Sequence, residues 1–92
     1  MKPFFMYILE CHDGSYYTGH TDDIDKRISE HIQGKGSGYT KRRLPVKVVL
    51  VQSFMTRDEA INAEQQIKGW SREKKAALIN NDWDVIKKLS NK

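Results

Sequence analysis

Phe4-Phe5-Met6-Tyr7-Ile8-Leu9-Glu10-Cys11 is the stretch that most limits how this chain can fold. It is almost continuously apolar and rich in aromatics. A strand with one wet face alternates polar and apolar residues, so this one reads as a central strand covered on both faces. The chain has 92 residues, 38% hydrophobic and 30% charged, so its core must be small. A single domain over residues 1–92 is expected. The same composition excludes collagen-like, coiled-coil and disulfide-rich classes. No apolar run approaches the roughly 18 residues of a membrane span, so no crossing of a bilayer is expected. The opening residues lack a small-residue cleavage site and read as the lead-in to a strand, not as a signal peptide. Cys11 is the sole cysteine and cannot form an internal disulfide, which suits a reducing, cytoplasmic location.

Beyond this run, His12-Asp13-Gly14-Ser15 reads as a turn and Tyr16–His20 as a second strand, completing a hairpin. Thr21 or Asp22 can cap a helix reaching about Gln33, where Gly34 stops it, with Ile24, Ile28 and Ile32 as its core stripe. Val46–Val51 is a β-branched third strand. Thr56-Arg57-Asp58-Glu59 is a capping box that opens a second helix to about Lys68. Ser71 caps a third helix over Arg72–Ile79, and a short one is expected from Asp82 to Leu89. The order β-β-α-β-α-α predicts an α+β fold, a small, mainly antiparallel three-stranded sheet flanked by helices. The pairing partner of the third strand stays open.

The hairpin register decides where two tyrosines point. A two-residue Asp13-Gly14 turn sends Tyr7 and Tyr17 to opposite faces. A three-residue His12-Asp13-Gly14 loop pairs Tyr7 with Gly19 and Leu9 with Tyr17, so that both share one face. His-Asp-Gly suits the longer loop with Gly14 left-handed, and a shared face is the expectation. Ordinary strand packing would explain both tyrosines equally well.

Charge is unevenly spread. The net charge is +4, yet residues 1–25 carry −4 and residues 26–47 carry +6. Most of the excess falls in a Gly-rich segment, Gly34 to Arg43, that holds Lys35, Tyr39, Lys41, Arg42 and Arg43. Mobile cationic backbone with one aromatic suits a phosphate chain and a stacked base, although a solvated loop would look similar.

Glu64 is the most informative side chain. It falls on the apolar face shared by Ala60, Ile61, Ala63 and Ile67, where a carboxylate is costly unless it is paired or binds a cation. Escape to water at the stripe edge, or an arginine partner, would also account for it. Arg27 and His31 share a helix face, suiting a grip on phosphate and a proton shuttle. The alternative is an Arg27 that covers the core and pairs with Asp23 or Glu30. Cys11, His12, His20 and His31 have no zinc-site spacing. There is no phosphate-binding G-x-x-x-x-G-K-[ST] loop and no nucleophile elbow.

Taken in order, these residues resemble the GIY-YIG endonuclease family. Phe5-Met6-Tyr7 stands where the family has Gly-Ile-Tyr, and Tyr17-Thr18-Gly19 where it has Tyr-Ile-Gly. Arg27, His31 and Glu64 match the family's arginine, the aromatic or histidine one turn later, and the metal-binding glutamate. The segment Gly34-Lys35-Gly36 to Pro45 is similar to the small stand-alone bacterial branch of predicted endonucleases. The first motif lacks its glycine and isoleucine. His20 stands where some members carry a lysine, and the late asparagine of several members has only Asn80 and Asn81 as candidates.

The resemblance implies metal-dependent hydrolysis of DNA phosphodiester bonds, of a structure-selective kind suited to repair or recombination. Glu64 would hold Mg²⁺ or Mn²⁺, and Arg27 would neutralise phosphate charge. Tyr17, assisted by Tyr7, His20 or His31, would position or deprotonate the water. Lys35, Tyr39, Lys41, Arg42 and Arg43 would bind branched or duplex DNA, with RNA left open and a protein partner able to supply specificity. The alternative is a nucleic-acid-binding module with little or no turnover.

Overall fold

The computed structural model describes residues 2–90. Three strands, β1 (Phe4–Glu10), β2 (Tyr16–Thr21) and β3 (Lys47–Phe54), form an antiparallel sheet in the order β2-β1-β3. The apolar run is therefore the central strand, and β2 and β3 are both edges. Five helices accompany the sheet: α1 (Ile24–Ile32), α2 (Gly38–Lys41), α3 (Arg57–Lys68), α4 (Arg72–Ile79) and α5 (Trp83–Ser90).

Alternation along β1 feeds two cores. Met6 and Ile8 pack with Ile67 of α3, Ala77 and Leu78 of α4 and Ile86 of α5. Tyr7 and Leu9 point the other way and pack with Cys11, Val46, Tyr17 and Ile24 of α1. Each fully buried large side chain contributes about 1.5–3 kcal/mol, so β1 supplies much of both cores.

The hairpin follows the longer loop. Leu9 faces Tyr17, Tyr7 faces Gly19, and Gly14 has φ +83°. Both tyrosines thus project from one face. Strand β3 runs from Lys47 to Phe54, longer than the expected Val46–Val51, because Phe4, Phe5 and Met6 supply partners for Phe54, Ser53 and Gln52. The capping box at Thr56 and Glu59 forms as expected, and Ser71 caps α4.

Three expectations need correction. The isoleucine stripe of α1 is not its core face: Ile32 is 56% exposed, Ile24 and Ile28 are half-buried, and His31 is the fully buried residue. Burial of an imidazole costs little when both ring nitrogens are hydrogen-bonded, and here both are. The cap of α1 is Asp23, whose carboxylate accepts from the Lys26 amide at 3.2 Å, while Thr21 braces Asp23 from outside. The basic segment is also not the featureless mobile loop expected. It contains the short helix α2, capped by Ser37 and anchored by Thr40, which is fully buried.

Candidate active site at the free edge of strand β2

The site begins with Gly19. It sits opposite Tyr7 on the edge strand, and a Cβ there would lie 2.6 Å from the Tyr7 hydroxyl oxygen and 2.7 Å from Cζ. The missing side chain lets the phenol lie across β2. Tyr7 Oη is 2.8 Å from His31 Nε2, and His31 Nδ1 is 2.9 Å from Thr40 Oγ1. Thr40 can direct its own proton to the carbonyl or the hydroxyl of Ser37. That arrangement makes His31 Nδ1–H the donor to Thr40 and leaves Nε2 to accept from Tyr7. Burial, reinforced by the nearby Arg27 charge, holds the His31 pKa below its ordinary value, consistent with a neutral ring. Burial also pushes the Tyr7 phenol up to about 12, against the pull of the Arg27 guanidinium.

Gly36 works like Gly19 from the opposite side. A Cβ on it would overlap the His31 ring, and its carbonyl accepts from Arg27 Nη2 at 2.8 Å. Arg27 also makes a 3.4 Å contact with Glu30. Its guanidinium is thereby fixed beside the tyrosine pair while its outer edge stays in solvent. Tyr17 packs on this group, with ring centroids 5.0 Å from His31 and 6.4 Å from Tyr7. Among the described residues its hydroxyl has no hydrogen-bond partner.

Glu64 arrives from α3, on the other face of the sheet. Its side chain is only 15% exposed, and Oε1 lies 3.1 Å from His20 Nδ1. Its partner is therefore His20 and not Arg27. His20 pairs with Met6 across the hairpin and so points toward the α3 face. The Glu64 carboxylate is near enough to Tyr7 to add to the rise of the phenol's pKa. Groups from both faces thus meet at the open edge of β2.

The basic residues divide. Arg43 donates to Asp13 at 3.1 Å and to the Tyr39 carbonyl at 3.0 Å, and its guanidinium lies 3.8 Å from the Tyr39 ring centroid. It braces Tyr39, whose ring is 6.1 Å from Tyr17. Lys35, Lys41 and Arg42 are exposed. Sequence reasoning missed Gly36 and Thr40. Nothing in the hydrophobic period marks a loop threonine as buried.

No three His, Cys, Asp or Glu side chains gather into a metal cage among the described residues. Mg²⁺ commonly takes one or two protein carboxylates and completes its shell with water and substrate phosphate. A lone, mostly buried carboxylate beside an open edge fits that ion, and Glu64 is the residue that would hold it.

A hairpin presents two tyrosines, a helix supplies arginine and histidine, and a later helix supplies a glutamate. Residues 3–77 match the GIY-YIG catalytic domain, and the chain belongs to that nuclease family. Within it, the chain sits among small UPF0213 proteins. It is 48% identical over 80 residues to one from Staphylococcus saprophyticus, covering 87% of this chain and 98% of the relative. Against one from Streptococcus pneumoniae it is 44% identical, covering 87% and 81%. The solution structure of a UPF0213 protein from Bacillus halodurans superposes with TM-score 0.56 at 45% identity, covering 85% of this chain and 83% of that one. An E. faecalis protein superposes with TM-score 0.61 at 38% identity, covering 88% and 86%. No helix among the described residues is long and apolar enough to cross a membrane.

Proposed function

We propose that the chain is a metal-dependent endonuclease that hydrolyses DNA phosphodiester bonds at the β2 edge. The observation that carries this reading is the meeting there of Arg27, the Tyr7–His31–Tyr17 cluster and Glu64. When bound, Mg²⁺ or Mn²⁺ would polarise the phosphate and stabilise the leaving oxygen. Arg27 offers the outer edge of its guanidinium to the phosphate, held in place by the Gly36 carbonyl. Such preorganised charge is worth most where negative charge develops in the transition state.

Tyr17 presents its unpaired hydroxyl to the attacking water. Tyr7 is the poorer candidate for a base. A phenol at about 12 stands five units above neutrality, roughly 7 kcal/mol from ready ionisation. Its role is to hold the cluster, through His31 and Thr40, so that Tyr17 and Arg27 face the same point. His20 orients the Glu64 carboxylate through the 3.1 Å contact. Lys35, Lys41 and Arg42 supply phosphate contacts beyond the scissile bond, which suits branched or duplex substrates of repair and recombination.

One observation favours a binding module with little turnover. His20 already occupies one oxygen of the glutamate that the metal would need. Incubation of the pure protein with labelled linear, flapped and branched DNA, and with RNA, in Mg²⁺, Mn²⁺ or EDTA separates the two readings. Metal-dependent products on any substrate support hydrolysis. Binding without products in either metal supports the module.

A further inference from the structure

A cleft of about 290 Å³ opens next to the tyrosine cluster, lined by Tyr16, Tyr17, Thr18, Tyr39, Lys68 and Lys75. None of the cations given phosphate contacts above lines it, and its two lysines come from different helices. Resting on the nucleic-acid reading given above, we propose that this cleft is a second nucleotide subsite, where Lys68 and Lys75 clasp a backbone phosphate next to the scissile one and Tyr17 and Tyr39 stack its base.

Three observations converge. No carboxylate lines the cleft, and among the described residues neither Lys68 nor Lys75 has an acidic partner within salt-bridge distance. Two ammonium groups facing one hollow without counter-charge form a ready anion site. Burial, and after it the charge of Lys68, holds Lys75 below its ordinary pKa, so the two cations are close enough to repel and a phosphate between them would relieve both.

Tyr39 is braced from behind by Arg43 and stands 6.1 Å from Tyr17, leaving an aromatic wall continuous with the active cluster. Such walls hold bases of any sequence. Finally, Lys68 lies one helical turn beyond Glu64 on α3, so the two share a helix face and the subsite adjoins the proposed point of cutting.

The site fits one extruded or single-stranded nucleotide, because a base within a duplex cannot reach an aromatic wall. Full-length protein in EDTA is titrated with a fluorescent single-stranded oligonucleotide at several salt concentrations. Loss of the one clasped phosphate in Lys68→Ala/Lys75→Ala makes the salt slope shallower by about 0.7, which is about 5-fold in Kd at 0.1 M salt. Tyr39→Phe retains affinity and Tyr39→Leu loses it. An unchanged slope and Kd in the double variant overturn the subsite, as does displacement of the oligonucleotide by inorganic phosphate as readily as by a dinucleotide.

Because the titration needs no metal and no cleavage, the two readings fail separately. Lysine-dependent binding without hydrolysis sinks the endonuclease and keeps the subsite, whereas hydrolysis with unaltered binding in the double variant sinks the subsite alone. No binding of any oligonucleotide by the native chain would overturn both.

Discussion

Replacing Gly19 by alanine tests the geometry on which the whole site depends. The new methyl would stand 2.6 Å from Tyr7 Oη and 2.7 Å from Cζ, where carbon atoms normally approach to about 3.5 Å or more. The ring must retreat by roughly 0.8 Å, and it is fully buried, so it cannot swing into water. Overpacking of this kind costs about 1–3 kcal/mol. A retreat of that size also stretches the 2.8 Å bond to His31 past useful length, adding about 0.5–1.5 kcal/mol. The sum, about 1.5–4.5 kcal/mol, lowers the Tm of a domain this size by about 6–36 °C.

Gly38→Ala is the control, because a Cβ there meets nothing within 4 Å. That change is expected to leave the Tm level or raise it slightly, as the unfolded chain loses freedom. Tyr7→Phe should relieve only the hydrogen-bond share of the Gly19→Ala penalty, since Cζ remains, whereas Tyr7→Leu should relieve the overpacking as well. A Gly19→Ala protein that melts like the native chain would refute the placement of the phenol across β2. A full penalty in the Tyr7→Leu background would show that the cost arises elsewhere.

Three other outcomes are expected. Glu64→Gln removes metal-dependent cleavage while DNA binding persists, and its Tm moves little, since the exposed His20 contact is worth at most about 1 kcal/mol; a loss well beyond that would mark Glu64 as a structural residue. His31 is held neutral with a lowered pKa, so the unfolded chain binds its proton more readily, and stability falls as pH drops below about 6.5. Thermal melts from pH 8 to 5 should show that decline in the native chain and a flatter one in His31→Gln; equal slopes would contradict the buried neutral ring. Lys41→Ala/Arg42→Ala weakens binding to all sequences and lowers the salt slope, whereas Arg43→Ala acts mainly by loosening Tyr39 and Asp13. Equal slope changes from all three would mean that Arg43 also reaches phosphate.

What could be read from the sequence was whatever local chemistry decides. The His-Asp-Gly loop fixed the hairpin register, and with it the shared face of Tyr7 and Tyr17, because strand side chains alternate with a period of two. The capping box at Thr56 and the glycine after Lys68 marked α3 by backbone needs alone. Periodicity misjudged α1, because it ranks histidine below isoleucine for burial. The order was reversed by Tyr7 and Thr40, which lie 24 and 9 residues from His31 and satisfy both of its nitrogens. The same threonine turns the basic segment from a solvated loop into a pinned one. Its burial depends on the prior burial of His31, a partner that no window of sequence around Thr40 contains.

The partner of Glu64 was hidden for a related reason. Counting charges offers Arg27 as the cation, but Arg27 rises from the face that Tyr7 occupies, and Glu64 descends from the opposite one. They can approach only around an edge, and the sheet order β2-β1-β3 makes β2 that edge. A central β2 would have placed a third strand between them. The position of the long apolar run at the centre thus determines more than the core. By leaving the hairpin's second strand open on one side, it lets side chains from the two faces of one sheet approach each other around that edge.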